Sequence, residues 1–363
     1  MQQFNSVILH DYFEIAEGGG RLCLILAQAQ DAALCYGFKF LNHPFIQYIS
    51  LVGRQHDLQC YSRIPVLKQL KLSLAFANKT KFLKDYDRAI YSGFYAPLAV
   101  QNHLQGLNIY YCHTPPRFIY DQRDYFIARL PFWQRPILRW FINYLKPLYE
   151  AAVSQMDIIV ANSENVRNRI ATFLGKEAII VYPPCDTERF IWRNQSDYYL
   201  STARLDPLKR VELIVKAFLK LPDKKLIVTS GGTEYARLTK LAGNASNITF
   251  TGWVTEDKLR DLVGNTIATI YIPKDEDFGM TPVESTAAGK PVIGTCEGGL
   301  RETIVPGETG LLLSPDVSVE EIMNAAALLT RTRALEMRRA CEERALLFNK
   351  QLFIDKMNHL CTG

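Results

Sequence analysis

The stretch Ala268-Thr-Ile-Tyr-Ile-Pro-Lys-Asp-Glu-Asp-Phe-Gly-Met-Thr-Pro-Val-Glu284 decides the fold. Its first five residues are a short apolar run closed by Pro273, which reads as a buried strand running into a loop. Pro282 then sits where a helix start tolerates a residue without an N–H. Strand, loop and helix in that order are the repeating unit of an α/β protein, whose ligands collect on the loops beyond the carboxyl ends of the strands. Two carboxylates eight positions apart fall on this element, Glu276 on the loop and Glu284 in the first turns of the helix. A carboxylate accepts hydrogen bonds from two neighbouring hydroxyls, the pattern that sugars and riboses offer. The amides of Phe278, Gly279, Met280 and Thr281 at the helix start suit a phosphate or pyrophosphate. A ligand with phosphate between two sugars is the natural inference.

Outward from this stretch, short apolar runs alternate with helical segments along the whole chain. Candidate strands are 6–9, 89–91, 109–111, 158–161 and 178–181, then 198–201, 225–229, 247–251, 268–272 and 291–294. The series breaks at Tyr182-Pro-Pro-Cys-Asp186, where two prolines end a strand and nothing periodic follows for about ten residues. The expected architecture is α/β: two tandem Rossmann-like, doubly wound domains, residues 1–182 and 183–363, facing each other across a cleft. The last helical segment is expected to pack back on the N-terminal domain.

The 363 residues suffice for two or three domains, and 48% hydrophobic with 22% charged residues excludes wholesale disorder and coiled coil. No apolar run reaches the length of a spanning helix, and the N-terminus lacks a basic leader with a long apolar core, so a cytoplasmic location is expected. The eight cysteines are scattered singly without a CxxC pair and read as buried free thiols rather than a zinc or disulfide framework. The net charge of +5 is local. Residues 61–84 carry six cations and residues 129–146 carry Arg129, Arg135, Arg139 and Lys146, with no acid in either segment. Setting those ten aside leaves 32 basic against 37 acidic residues. The second patch interleaves Phe132, Trp133, Trp140, Phe141 and Tyr144 with its cations, as a helix in an anionic lipid interface requires. Arg129, Trp133, Arg135, Arg139 and Trp140 are the expected membrane contacts; a core helix flanked by arginines is the alternative. No nucleic-acid recognition motif accompanies the patch, so no nucleic-acid partner is expected.

Further motifs stand in order along the chain: Gly18-Gly19-Gly20 after the first strand, Tyr110-Tyr-Cys-His-Thr-Pro-Pro-Arg117, Ala161-Asn-Ser163 and Ala203-Arg-Leu-Asp-Pro-Leu-Lys-Arg210. With Glu276 and Glu284, the sequence resembles the retaining GT-B glycosyltransferases of family 4 (group 1), whose mark is two glutamates separated by seven residues. The resemblance implies a hexosyltransferase acting on a nucleotide sugar, with a non-catalytic nucleotide-sugar-binding module as the alternative. It assigns the donor pyrophosphate to Arg204 and Lys209, the ribose to Glu284 and the transferred sugar to Glu276, with His113 beside that sugar. Gly18, Gly19 and Gly20 match the N-domain loop that approaches phosphate and acceptor, and Gly231 and Val254 join the donor-lining residues. Each assignment has a plainer rival: solvated cations, a hydrogen-bonded core histidine, turn glycines. Gly298 and Gly299 stay open between turn and donor loop.

Asp275-Glu-Asp277 spells the DxD by which other glycosyltransferases chelate a divalent metal, but it abuts the paired glutamates, and Arg204 and Lys209 can neutralise the pyrophosphate. No metal and no separate cofactor are therefore expected. Similarity to mannosyltransferases of polysaccharide assembly favours GDP-mannose, with UDP-glucose, UDP-galactose or UDP-N-acetylglucosamine as rival donors. The expected acceptor is a glycan or a polyprenyl-diphosphate-linked oligosaccharide on the cytoplasmic face of a membrane. Front-face substitution, the leaving phosphate assisting deprotonation of the acceptor, is the mechanism the resemblance implies.

Overall fold

The computed structural model describes residues 5–15 and 18–362. The chain divides into two compact units, Met1–Tyr182 with Ile354–Gly363, and Pro183–Phe353.

The sheet of the first unit contains β1 (Ser6–His10), β2 (Ala33–Tyr36), β3 (Gln55–Asp57), β4 (Arg88–Ser92), β5 (Leu107–Cys112), β6 (Ile158–Ala161) and β7 (Ile179–Ile180). They are parallel in the order β3-β2-β1-β4-β5-β6-β7, with Val7 opposite both Ala33 and Ala89. β1, β2 and β5 read as apolar runs rather than alternating ones because helices cover both faces of a parallel sheet. Val7, Leu9, Tyr91, Tyr110, Phe141 and Tyr149 are all fully buried there. Local signals set the helix ends. Ser163 accepts from Val166 N at 3.0 Å, and Gly175 closes that helix in the left-handed conformation. From Ile354 onward the last helix belongs to this unit, where Gln30 Nε2 donates to Asn358 Oδ1 at 3.0 Å.

The second unit carries β8 (Tyr198–Ser201), β9 (Lys225–Thr229), β10 (Ile248–Gly252), β11 (Thr269–Ile270), β12 (Val292–Thr295) and β13 (Gly310–Leu313), parallel in the order β10-β9-β8-β11-β12-β13. In both sheets the chain runs outward on one side of the first strand and then crosses to the other. The loops after β1 and β4, and those after β8 and β11, therefore diverge and leave a crevice at each switch point.

Three strands, β2, β3 and β13, are absent from the sequence reading. β3 is Gln55-His-Asp57, a polar edge strand that periodicity cannot find. β13 pairs residue for residue with β12, and an added Cβ on Gly310 would stand 2.0 Å from Val292 O. Seven cysteines are buried, whereas Cys296 is exposed, correcting the expectation that all eight lie inside.

Candidate active site

In the second unit, the loop after β8 turns through the short 3-10 helix Pro207–Lys209, whose first amide is capped by Asp206 Oδ1 at 3.1 Å from Leu208 N. Arg210 follows with φ +53° and reaches across the switch point. Its guanidinium donates to Ile272 O at 2.7 Å, Pro273 O at 2.8 Å and Pro315 O at 2.6 Å, and pairs with Glu297. Lys274 N also donates to Leu208 O at 2.7 Å. The loops after β8 and β11 are thus bound together by backbone, with Arg210 as the clamp. Sequence reading ended its motif at Arg210 without giving it that role.

The clamp sets Lys209 against Glu276, with Nζ 2.6 Å from Oε2 and both side chains about one-fifth exposed. Lys209 Nζ also donates to Tyr271 Oη at 3.1 Å and stands 5.4 Å from the centre of that ring. Burial, and after it the neighbouring Glu276 carboxylate, push the Tyr271 phenol well above its usual range, with smaller contributions from Glu284 and Asp277. The structure therefore gathers Lys209, Glu276 and Glu284 around Tyr271. Arg204 is exposed, with no ion pair among the described residues. The expected basic pair is in fact one open cation and one already joined to a carboxylate.

The remaining second-unit predictions separate by role. Phe278 turns inward, 3% exposed and edge-on to Phe348. Gly279 caps the helix Met280–Ala287 with φ +94°, and Met280 and Thr281 are its half-buried first residues. Gly298 (φ +56°) and Gly299 are close-approach glycines: an added Cβ would meet Glu276 O at 2.2 Å and the Phe278 Cα at 2.4 Å. They let one loop lie directly on the Glu276 loop, where Gly299 N donates to Glu276 O at 2.9 Å. Gly231 has the Trp253 indole over it, Nε1 lying 2.3 Å from where a Cβ would stand. Trp253 is 72% exposed at the end of β10, beside half-buried Val254. An exposed tryptophan seated on a glycine at the ligand edge of a sheet offers a stacking face, and no sequence pattern singled it out.

In the first unit, His10 and Ser92 are the last residues of β1 and β4, and His113 follows β5. Ser92 Oγ lies 2.8 Å from His113 Nε2 and 3.4 Å from His10 Nδ1. Burial holds the His113 imidazole down to about 4 and His10 down to about 3, the latter also opposed by His113. The glycines are not the loop expected: Gly18 to Gly20 form the first turn of the helix Gly18–Ala29. Residues 16 and 17 lie outside the described residues. A Cβ on Gly19 would stand 3.0 Å from His113 Nε2, and one on Gly20 would stand 3.4 Å from His10 Nε2. Asp11, missed by sequence reading, accepts from Phe94 N, Tyr95 N and Ala96 N at 2.6, 2.9 and 2.8 Å and so caps the 3-10 helix Ala96–Asn102.

The basic aromatic segment forms the helix Arg135–Ser154, buried along Phe141, Ile142, Leu145 and Tyr149. Phe132, Trp133, Ile137 and Trp140 are exposed, Trp140 stacking on Tyr144 at 5.8 Å. Arg139 is exposed, and Arg129 donates to Tyr125 Oη at 2.5 Å. Arg135 departs from expectation: it folds back onto Leu130 O and Ala128 O, completing the preceding turn instead of facing outward. Among the described residues no helix is long and apolar enough to cross a membrane.

Two parallel sheets with switch-point crevices, one carrying paired glutamates and cations, are the architecture of the GT-B fold. The Anabaena protein HepE, crystallised with UDP and glucose, superposes on 99% of this chain and 100% of its own with a TM-score of 0.76 at 14% identity. Residues 186–347 match the family described as glycosyl transferases group 1. An uncharacterized glycosyltransferase of Methanocaldococcus jannaschii is 29% identical over 178 residues, 48% of each chain. A GDP-mannose-dependent α-(1-6)-phosphatidylinositol monomannoside mannosyltransferase of Mycobacterium tuberculosis is 30% identical over 218 residues, 52% of this chain and 56% of that one. The chain spans about half the length of the curated relatives it matches.

Proposed function

We propose that the protein transfers a hexosyl group, mannose from GDP-mannose, with retention of configuration, to a hydroxyl of a glycan or polyprenyl-diphosphate-linked acceptor. The observation that carries the reading is the Lys209–Glu276 pair at the β8/β11 switch point, with exposed Arg204 on the same loop after β8. Cations meet the donor diphosphate there without a metal, Glu276 meets the transferred sugar and Glu284 the ribose. Trp253 on Gly231 offers its face to the base. The first unit presents His113, held neutral and therefore able to hydrogen-bond a sugar hydroxyl without adding charge. The mannosyl donor is supported by the mycobacterial relative, whose name gives GDP-mannose. Ligand-observed NMR with GDP-mannose, GDP, UDP-sugars and UDP, with and without a chelator, tests this. Selective GDP-mannose binding that survives chelation is expected. Preference for a UDP-sugar overturns the donor, and silence across the panel overturns the function.

The exposed face of the helix Arg135–Ser154, with Trp133 just before it, supports docking on an anionic membrane, rings in the headgroup layer and Arg139 against phosphates. Replacing Trp133 and Trp140 together by Ala should weaken binding to phosphatidylglycerol-containing vesicles about tenfold or more. Unaltered co-sedimentation would remove the membrane from the proposal.

A further inference from the structure

We propose that Tyr271 is a positioning residue that lets Lys209 and Glu276 part from one another and turn to the donor, an inference resting on the donor-site reading above. The closed pair poses a problem for that reading. At 2.6 Å, Lys209 and Glu276 satisfy each other, yet the ammonium is needed at the diphosphate and the carboxylate at the sugar. Opening a partly buried ion pair is costly when each charge is left bare. Tyr271 removes that penalty because a phenol has one donor and one acceptor function. Its oxygen accepts from Lys209 Nζ at 3.1 Å, and the Glu276 carboxylate lies close enough to help push the phenol up. As the pair opens, Lys209 keeps its bond to that buried oxygen, and the phenol O–H is free to turn to the carboxylate.

The anchor is rigid. Tyr271 is 5% exposed, and its N donates to Ile293 O at 2.9 Å, so the ring continues β11 beside β12 and cannot follow either charge outward. Burial keeps the phenol protonated throughout the working pH range, which preserves its donor function.

The experiment is a binding cycle by calorimetry with GDP and UDP on the full chain, comparing wild type, Tyr271→Phe, Glu276→Gln and the double variant. Phenylalanine keeps the ring and its packing. Without the hydroxyl, Lys209 stays on Glu276, and affinity for the preferred diphosphate should fall about tenfold. In the Glu276→Gln background no ion pair has to open, so the same change should cost less than about twofold. Equal losses in both backgrounds would show a merely structural tyrosine and overturn the proposal, as would no loss in either. Wild type binding neither nucleotide would overturn the donor-site reading itself, and this inference with it.

Discussion

Glu276→Ala is expected to lower hexosyl transfer by about 10²–10³-fold while leaving nucleotide diphosphate affinity unchanged or slightly tighter. The turnover loss follows from removing the carboxylate that orients the transferred sugar where charge develops. The retained affinity follows from the pair geometry: Lys209 loses the partner 2.6 Å away and stands free for the diphosphate, with Tyr271 Oη still 3.1 Å from it. Arg210 and the glycine pair Gly298 and Gly299 continue to hold the loop through backbone atoms, so the fold around the site persists. Steady-state turnover and calorimetric GDP or UDP affinity, measured on the same preparation, decide the matter. Parallel loss of both would mean that Glu276 supports the site rather than acting in it. Undiminished turnover would remove it from the chemistry.

The first unit is expected to lose about 4 kcal/mol of stability between pH 7 and pH 5. His10 and His113 hold folded values of about 3 and about 4, against an ordinary value of 6.5, because burial disfavours the imidazolium. An unfolded chain binds a proton at each as pH drops through 6.5, whereas the folded chain does not. Stability from these groups is thus complete above pH 6.5 and drains away as pH falls toward 4, at about 2 kcal/mol each by pH 5. Urea titrations at both pH values measure it. Replacing His113 by Gln should remove about half of the difference, and coincident midpoints at the two pH values would refute the burial account. In the folded chain the same protonation comes only near pH 4, where it would set a positive charge in the Ser92 cluster beneath Gly19, so transfer activity of the folded protein should hold from pH 7 to pH 5 and fall toward pH 4.

Most of the sheet was legible because parallel strands covered on both faces are continuous apolar runs. Ile158–Ala161, Tyr198–Ser201 and Lys225–Thr229 were placed to the residue. β3 was invisible because an edge strand of Gln, His and Asp carries no hydrophobic period. The charged and glycine motifs were legible as a set, since a diphosphate between two sugars needs cations, amides and carboxylates at fixed offsets from strand ends. Their partners were not. Arg210 looks like one more solvated arginine, Tyr271 like one more apolar strand residue, and Trp253 like any residue after a strand.

The sequence by itself determined the class of fold and the succession of strand, loop and helix, because hydrophobic period and turn chemistry act over a few neighbouring residues. Only the tertiary structure decided that Lys209 meets Glu276 across 67 positions, that Tyr271 stands beneath both, and that Ser92 joins two histidines. Those contacts arise from strand order. β11 lies beside β8, and β4 beside β1, only after long excursions of the chain. No local pattern encodes which distant loops a crossover will bring together.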